Sequence, residues 1–295
     1  MQIEHEIKDF LMTRRARITP EMAGLPFAGG SDRRVAGLRR EEVAMLAGLS
    51  VEYYTRMERG KIGGASESVL DAVARALQLD SDERAHLNDL ARNVAASPRR
   101  KPAGKASPIS SSVQQVLDSM TVPAVVQNER LDILAANGLG RALYCALFED
   151  RQRPNFARFA FLDSRAEVFY ANLDDARDLC VAVLRATAGR DPLDQGTTQL
   201  VGELSTRSAD FRQRWARHNV HRHLRGRKVI NHPIAGPLDI EYNDFALPGD
   251  PHVSITTYTA EPGTPSADNL TLLATWVDTQ SDEPVSTPDE SSSRR

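Results

Sequence analysis

Cysteine is scarce in this chain, with only Cys145 and Cys180 among 295 residues. Two cysteines are too few for a disulfide framework. Since they lack a CxxC spacing, we interpret them as buried, unpaired thiols in a reducing compartment rather than as a redox pair. No apolar run approaches the ~18 residues that span a membrane, and the first ten residues, MQIEHEIKDF, have no apolar signal core. These absences predict a cytoplasmic protein that does not enter the membrane.

Catalytic signatures are also lacking. The sequence has no GxSxG, no HExxH and no glycine loop that would cradle a phosphate, and GLGR at 138–141 lacks the spacing of a nucleotide-binding motif. We therefore expect neither an enzymatic activity nor a cofactor.

Residues 207–232 are rich in histidine and in basic side chains, with eight Lys and Arg against one acidic residue. His218, His221 and His223 form an HxxHxH pattern, and His232 follows. On a helix, the first two share a face, the third points elsewhere, and no nearby cysteine or carboxylate completes a metal ligand set. We favour a basic helix face that meets DNA or the other domain over a metal site. Recognition of a ligand carboxylate by one of the arginines is a further alternative.

Charge is nearly balanced over the whole chain, with a formal net charge of −3, but it is unevenly distributed. Residues 1–105 contain 18 Lys and Arg against 15 Asp and Glu, whereas the remainder contains 19 against 25. Within residues 14–61 the count is ten basic to six acidic. An excess of this size is a weak indication of nucleic-acid binding by itself, and it gains weight from the motif in the same segment.

Residues 38–61, LRREEVAMLAGLSVEYYTRMERGK, predict two short helices joined by a tight turn. Val43, Leu46 and Ala47 fall at i, i+3 and i+4 and form an apolar stripe on the first helix. Gly48 supplies the left-handed residue that ends it, and Leu49 fills the corner between the two helices.

The second helix of this pair has one inward and one outward face. Ser50 is a good N-cap, Tyr54 and Met57 face the core, and Gly60 marks the end. The outward face presents long or hydrogen-bonding side chains at the start of a helix, which is the helix-turn-helix arrangement for reading a major groove. These side chains are Val51, Glu52, Tyr53 and Arg56.

Glu58 lies near the end of the second helix, where the helix dipole disfavours a carboxylate. A buried ion pair with Arg14 or Arg15 of the first helix of the chain would explain its presence. Surface solvation is the alternative.

The chain divides into two domains. Five predicted helices, at 4–17, 39–47, 50–59, 66–77 and 81–95, form an all-α domain over residues 1–95, with an irregular connection at 19–37. Residues 96–108, ASPRRKPAGKASP, read as a linker because they combine prolines, glycine and basic residues. A second domain follows at 109–278, and the polar residues 279–295 are expected to be disordered.

The second domain mixes helices with antiparallel strands. We predict helices at 110–120, 137–148, 172–189 and 208–224, and two short strands around a turn at 128–130. After residue 226 the period becomes alternating: Leu238, Ile240 and Tyr242 share one face of a strand, and a second strand carries Val253, Ile255 and Thr257. LPGDP at 247–251 is the turn between these strands. A last apolar helical face carries Leu270, Leu273, Ala274 and Val277.

Residues 38–61 resemble helix-turn-helix regulators of the XRE (lambda-repressor-like) class. With RRARITPEMAGLP at 14–26, they resemble the bacterial subfamily that carries an MmyB-like ligand-binding domain. FRQRWARHNV at 211–220, KVINHPIAGPLDIEYNDFALPGDP at 228–251 and TYTAEPGTPSADNLTLLATW at 257–276 resemble that second domain, so the resemblance covers roughly residues 5–277. KIGGAS at 61–66 departs from it, since relatives usually have a shorter loop with proline and histidine.

The resemblance implies a transcriptional regulator with a five-helix DNA-binding domain and an α+β, PAS-like second domain that holds a small, often apolar molecule such as a fatty acid. It also implies a homodimer on two-fold double-stranded DNA. Some of the aromatic side chains of the second domain, most of them core residues, would then line the ligand pocket: Trp215, Tyr242, Phe245 and Tyr258.

By position in the family motif, Val51, Glu52 and Arg56 are the candidates for base contacts: a thymine methyl, cytosine N4, and guanine O6 and N7, respectively. An ordinary exposed helix with solvated charges is the alternative. Arg33 and Arg34 are expected on phosphates or in a minor groove, or else solvated. The further candidates for phosphate contacts are Arg39, Arg40, Ser50, Tyr53, Arg59 and Lys61.

Two other functions stay open. The second domain of a DNA-binding or interaction protein could serve only for dimerisation and bind no ligand, or an enzyme could use the HxxHxH segment. The sequence favours a sequence-specific, ligand-responsive regulator acting on the nucleoid in the cytoplasm.

Overall fold

The computed structural model describes residues 3–25, 35, 37–95, 109–149, 154–217, 225–247 and 249–281. The predicted Arg33–Arg34 pair, the linker, HxxHxH and most of the polar tail lie outside these ranges. Within the described part, the N-terminal domain has five helices: α1 (Ile3–Arg17), α2 (Arg40–Ala47), α3 (Val51–Glu58), α4 (Glu67–Ala76) and α5 (Ser81–Ala95). They match the predicted helices closely because apolar periodicity and capping residues are local signals.

The turn between α2 and α3 is a helix-turn-helix. Gly48 has a φ of 67°, and the Ser50 side chain accepts a hydrogen bond from the Tyr53 amide at 3.1 Å, as predicted for a C-cap and an N-cap. One detail of the apolar stripe is wrong: Leu46 is 36% exposed, and Ala44 is buried beside Val43 instead.

The C-terminal domain combines a sheet with nine described helices. The helices are α6 (Ser111–Asp118), α7 (Gly138–Leu143), α8 (Cys145–Phe148), α9 (Phe156–Leu162), α10 (Ala166–Phe169), α11 (Leu173–Arg190), α12 (Gln195–Arg207), α13 (Ala209–Trp215) and α14 (Pro265–Ser281). The strands are β1 (Ala124–Asn128), β2 (Ile133–Ala136), β3 (Arg225–His232), β4 (Gly236–Leu247) and β5 (Asp250–Thr259).

The sheet has the order β2-β1-β5-β4-β3, and each neighbouring pair is antiparallel. Leu238, Ile240 and Tyr258 on one face are buried against the helices that form the main core. The other face packs Val126 and its neighbours on Leu117 of α6. The predicted architecture, a helical domain followed by a domain with an antiparallel sheet, is confirmed.

Three features differ from the predicted elements. The structure contains strand β3 and helices α9, α10 and α12, which were not predicted. The helix predicted at 208–224 ends at Trp215. Helix α14 continues to Ser281, so residues 279–281 are helical rather than disordered. Among the described residues, every helix is too short or too polar to cross a lipid bilayer.

Candidate functional site

The outward face of α3 presents the three side chains that the sequence assigns to bases. Val51 is 41% exposed, and Glu52 and Arg56 are also exposed. The guanidinium carbon of Arg56 lies 5.1 Å from the centre of the Tyr53 ring. The ring therefore supports the extended arginine by a cation–π contact. Tyr54 and Met57, on the opposite side of α3, are buried as predicted.

The predicted phosphate-binding side chains surround this face. Arg39, Arg59 and Lys61 are exposed. The Ser50 oxygen accepts from the Tyr53 amide, which leaves its hydroxyl proton to donate. Arg40 is half-exposed, and its Nε donates to Glu58 Oε2 at 2.7 Å, so one edge of its guanidinium is already engaged within the protein.

Glu58 fixes α3 to its neighbours. Its carboxylate is 1% exposed and accepts from Arg15 Nη2 of α1 at 2.8 Å, in addition to Arg40 of α2. Arg15 Nη1 also donates to the Leu38 carbonyl at 2.7 Å. The predicted pair with Arg15 is confirmed and solvation is wrong, whereas Arg14 pairs with Glu83 at 2.7 Å. Two arginines from two helices thus set the angle at which α3 projects.

We expect Arg56→Ala to weaken binding to a specific DNA site by about 1–3 kcal/mol and to relax base preference at one position. The reason is that a bidentate contact with guanine would be lost, while binding to unrelated DNA would change less. Fluorescence anisotropy with fragments of the upstream region of the gene measures both affinities. Arg75→Ala, an exposed arginine of α4, is the matched control. An unchanged base preference in Arg56→Ala would contradict the assignment.

A second site lies inside the C-terminal domain. A cavity of about 580 Å³ opens between the sheet and the segment that leads from α10 into α11, a size within the ~300–1,000 Å³ typical of small-molecule pockets. The Ala171 amide donates to the Val229 carbonyl at 3.1 Å and so holds that segment to β3. The walls are mostly apolar and aromatic, and they include Leu131, Phe156, Tyr170, Ala176, Leu179, Cys180, Val229, Tyr242 and Tyr258.

The structure brings two of the four predicted pocket residues together, Tyr242 and Tyr258. Trp215 lies elsewhere, stacked on Phe211 at 5.5 Å between ring centres. Phe245 is 56% exposed. It faces away from the cavity because side chains alternate along β4, and Tyr242 has the inward parity.

The side chain of Lys228 places a cationic group among the aromatic rings of this cavity. Its Nζ lies 4.6 Å from the Tyr242 ring centre, 5.2 Å from that of Tyr258 and 3.4 Å from the Tyr144 hydroxyl. Among the described residues, no carboxylate lies within 4.0 Å of it. Burial lowers the pKa of Lys228 to about 8, against the smaller opposing influence of Cys180 and Asp244. At neutral pH the cavity therefore holds a largely protonated ammonium, with no direct counterion from the part of the chain that the structure describes.

A hydrogen-bonded carboxylate lies deeper in the sheet. Asp244 accepts from the Thr256 hydroxyl, and Gln127 donates to Thr256 Oγ1 at 2.9 Å. Burial raises the pKa of Asp244 to about 6, although hydrogen bonds to its carboxylate from Thr256 and from Gln127 Nε2, the latter at 3.4 Å, and the charge of Lys228 act in the other direction. Gln127, which lines the cavity, thus links this group to the cavity wall.

Lys228 and Gln127 were absent from the candidate residues. The signal for Lys228 is the alternation in RGRKVINH, where Lys228, Ile230 and His232 share a parity and the last two are buried. Tyr144 is fully buried on α7–α8, and no local pattern joins it to a strand more than eighty positions away.

His232 has a structural role that occupies both of its ring nitrogens. Nδ1 accepts from the Ile234 and Ala235 amides at 3.2 and 3.0 Å, so Nε2 carries the proton and donates to the Ala142 carbonyl at 2.9 Å. Burial lowers the pKa of His232. Over the ranges that the structure describes, no three His, Cys, Asp or Glu side chains are grouped so as to hold a metal ion.

The chain thus has an exposed reading helix in a helix-turn-helix domain and an internal pocket in a second domain, which together define a DNA-binding regulator with a ligand-binding domain. Residues 14–87 match the family model of a helix-turn-helix domain. Residues 109–273, more than half of the chain, match that of the MmyB-like transcription regulator ligand binding domain. The chain belongs to this MmyB-like family. No individually curated protein matches it.

Proposed function

We propose that this protein is a sequence-specific regulator that responds to a small amphipathic ligand with an apolar body and a carboxylate head, as in a fatty acid. The main support for this ligand class is the cavity, which encloses Lys228 among aromatic rings. Apolar walls favour an aliphatic body through the hydrophobic effect. An ammonium of lowered pKa, without a direct counterion among the described residues, gains most from an anionic partner.

The DNA-binding part of the proposal rests on α3. Val51, Glu52 and Arg56 are exposed together on its outward face, and Glu58 anchors its C-terminal end. A homodimer would place two such helices about 34 Å apart, in successive major grooves of a two-fold site. Such a regulator acts on DNA in the cytoplasm and carries out no catalysis.

We expect Lys228→Met to lower the affinity for myristate by about ten- to a hundredfold, since a charge-assisted hydrogen bond contributes about 1.5–3 kcal/mol. Affinity of the unaltered protein should also fall by up to about tenfold per pH unit above pH 8, where free Lys228 loses its proton. The other titratable or charged groups nearby are Asp244, Cys180, the Tyr144 hydroxyl, and the three tyrosines, Asp175 and Arg227 of the cavity wall. Isothermal titration calorimetry from pH 6.5 to about 9.5 measures both effects.

Arg225→Met is the matched control, because Arg225 is an exposed cation on the same strand. We expect it to bind myristate with the affinity and pH dependence of the unaltered chain. A Lys228→Met variant with unchanged affinity would contradict the assignment of the head group. No binding of laurate, myristate or palmitate would instead favour a domain that only dimerises.

A further inference from the structure

The geometry points to helix α11 as the element that couples the cavity to the DNA-binding domain. This inference rests on the proposed function, since it names how the same cavity would be read. One end of α11 forms the cavity wall and the other end is built into the N-terminal domain. At about 1.5 Å per residue, its 18 residues span about 27 Å as one rigid rod.

The first half of α11 belongs to the cavity. Asp175, Ala176, Leu179 and Cys180 line it. Any molecule that fills the cavity therefore presses on, or packs against, this side of the helix. Cores respond to added volume by discrete repacking because they are close-packed.

The second half of α11 belongs to the interface. Arg185 is fully buried and donates to the carboxylate of Glu6 of α1, which is 5% exposed. Its guanidinium also stacks on Trp215, 4.1 Å from a ring centre, and donates to the Trp215 carbonyl. The next residue, Ala186, packs within the apolar core of the N-terminal domain. A buried pair of this kind contributes more to geometric specificity than to net stability, because desolvation offsets its attraction.

The C-terminal end of α11 is capped by the other domain. Asn93 Nδ2 of α5 donates to the carbonyls of Gly189 and Arg190 at 2.7 and 3.0 Å. These carbonyls have no partner within their own helix. Gly189 lies directly against the ring of His86, and a Cβ at this position would overlap that ring. The glycine is thus required for the close approach of α5 and α11.

A second contact links the same helix end to the cavity through the β1–β2 turn. Arg190 pairs with the Glu129 carboxylate, and the Thr187 hydroxyl donates to the Glu129 carbonyl at 3.0 Å. Gln127 and Leu131, two positions to either side of Glu129, line the cavity. The C-terminal half of α11 is therefore connected to two walls of the cavity: to one through the helix itself, and to the other through the β1–β2 turn.

Helix α1 carries the connection onward to the reading helix. Glu6, near its start, contacts α11, and Arg15, near its end, holds Glu58 of α3. A displacement of α11 would thus change the position of α3 through one helix and two buried ion pairs. Ligand binding shifts DNA affinity to the extent that the ligand prefers one position of α11.

Hydrogen exchange on the full chain, read in α1 and α5 by mass spectrometry, tests this coupling. We expect saturating myristate to change exchange in both helices by about fivefold or more, the lower end of typical allosteric couplings. Gly189→Ala should abolish the change while keeping myristate affinity within about threefold, since Gly189 is outside the cavity wall. Gly202→Ala in α12, where a Cβ meets open space, is the matched control and should keep it.

Bound myristate with no change in α1 and α5, or an equal change in Gly189→Ala, would overturn the coupling and leave ligand binding intact. If calorimetry shows that no myristate binds, the proposed ligand is wrong. The coupling is then tested with the Ala176→Phe variant, because the added phenyl ring fills part of the cavity without any ligand. Altered exchange in α1 and α5 of that variant supports the coupling, and unaltered exchange overturns it.

Discussion

Glu58→Ala is expected to destabilise the N-terminal domain by about 3–5 kcal/mol, the usual cost of removing one partner from a buried ion pair. The carboxylate is 1% exposed and accepts from two arginines of two other helices. Without it, Arg15 and Arg40 would lie close together with uncompensated charge. We expect DNA binding to be lost with the fixed angle of α3. Urea unfolding followed by far-ultraviolet circular dichroism measures the change in free energy.

Glu41→Ala is the matched control for this variant. Its side chain is 63% exposed and lies 3.6 Å from Arg39, so its removal should cost no more than about 1 kcal/mol. Both tryptophans, Trp215 and Trp276, belong to the C-terminal domain. Their fluorescence therefore follows the C-terminal domain, and Trp215 also reports on the contact between the domains because the Arg185 guanidinium stacks on it. A Glu58→Ala protein as stable as Glu41→Ala would contradict the role given to this ion pair.

Asn137→Ala is expected to destabilise the C-terminal domain by about 3–5 kcal/mol, because several buried polar groups lose their partner at once. The side chain is 3% exposed. Its Oδ1 accepts from the Ala124 and Gly140 amides at 3.0 and 2.7 Å, and its Nδ2 donates to the Met120 and Val122 carbonyls. It thus joins the start of β1, the N-terminus of α7 and the segment after α6. Tryptophan fluorescence during urea unfolding measures the loss.

Asn172→Ala provides the comparison, since Asn172 is also an N-cap but is exposed. It should cost about 1 kcal/mol, the typical value for a cap alone. Equal effects of the two substitutions would show that the additional hydrogen bonds of Asn137 do not stabilise the domain.

The N-terminal helices could be predicted because their signals are local. Gly48, Ser50 and Ser66 stop or start helices through their own backbone and side-chain geometry. Strand β3 escaped prediction because its first half is basic on both faces, with Arg225, Arg227 and Lys228. Its buried residues, Ile230 and His232, then form too short an apolar pattern.

The two candidate sites also differ in whether their signals are local in the sequence or depend on the tertiary fold. The exposed face of α3 is a property of one helix, and the sequence pattern indicates it. The cavity is a property of the tertiary fold: Lys228, Tyr144 and Tyr258 come from three distant segments. Likewise the pair of Glu6 with Arg185 joins residues 179 positions apart. Charge and aromaticity identify such side chains as candidates, but only the tertiary fold brings them together.

If α11 couples the two domains, occupancy of the cavity changes the affinity of the helix-turn-helix domain for DNA. The most direct measurement is the affinity of the full chain for a DNA fragment selected from a random pool, with and without myristate at a concentration that calorimetry shows to be saturating. We expect a change of about fivefold or more in the unaltered protein and a much smaller change in Gly189→Ala. Equal affinities with and without bound myristate would contradict it.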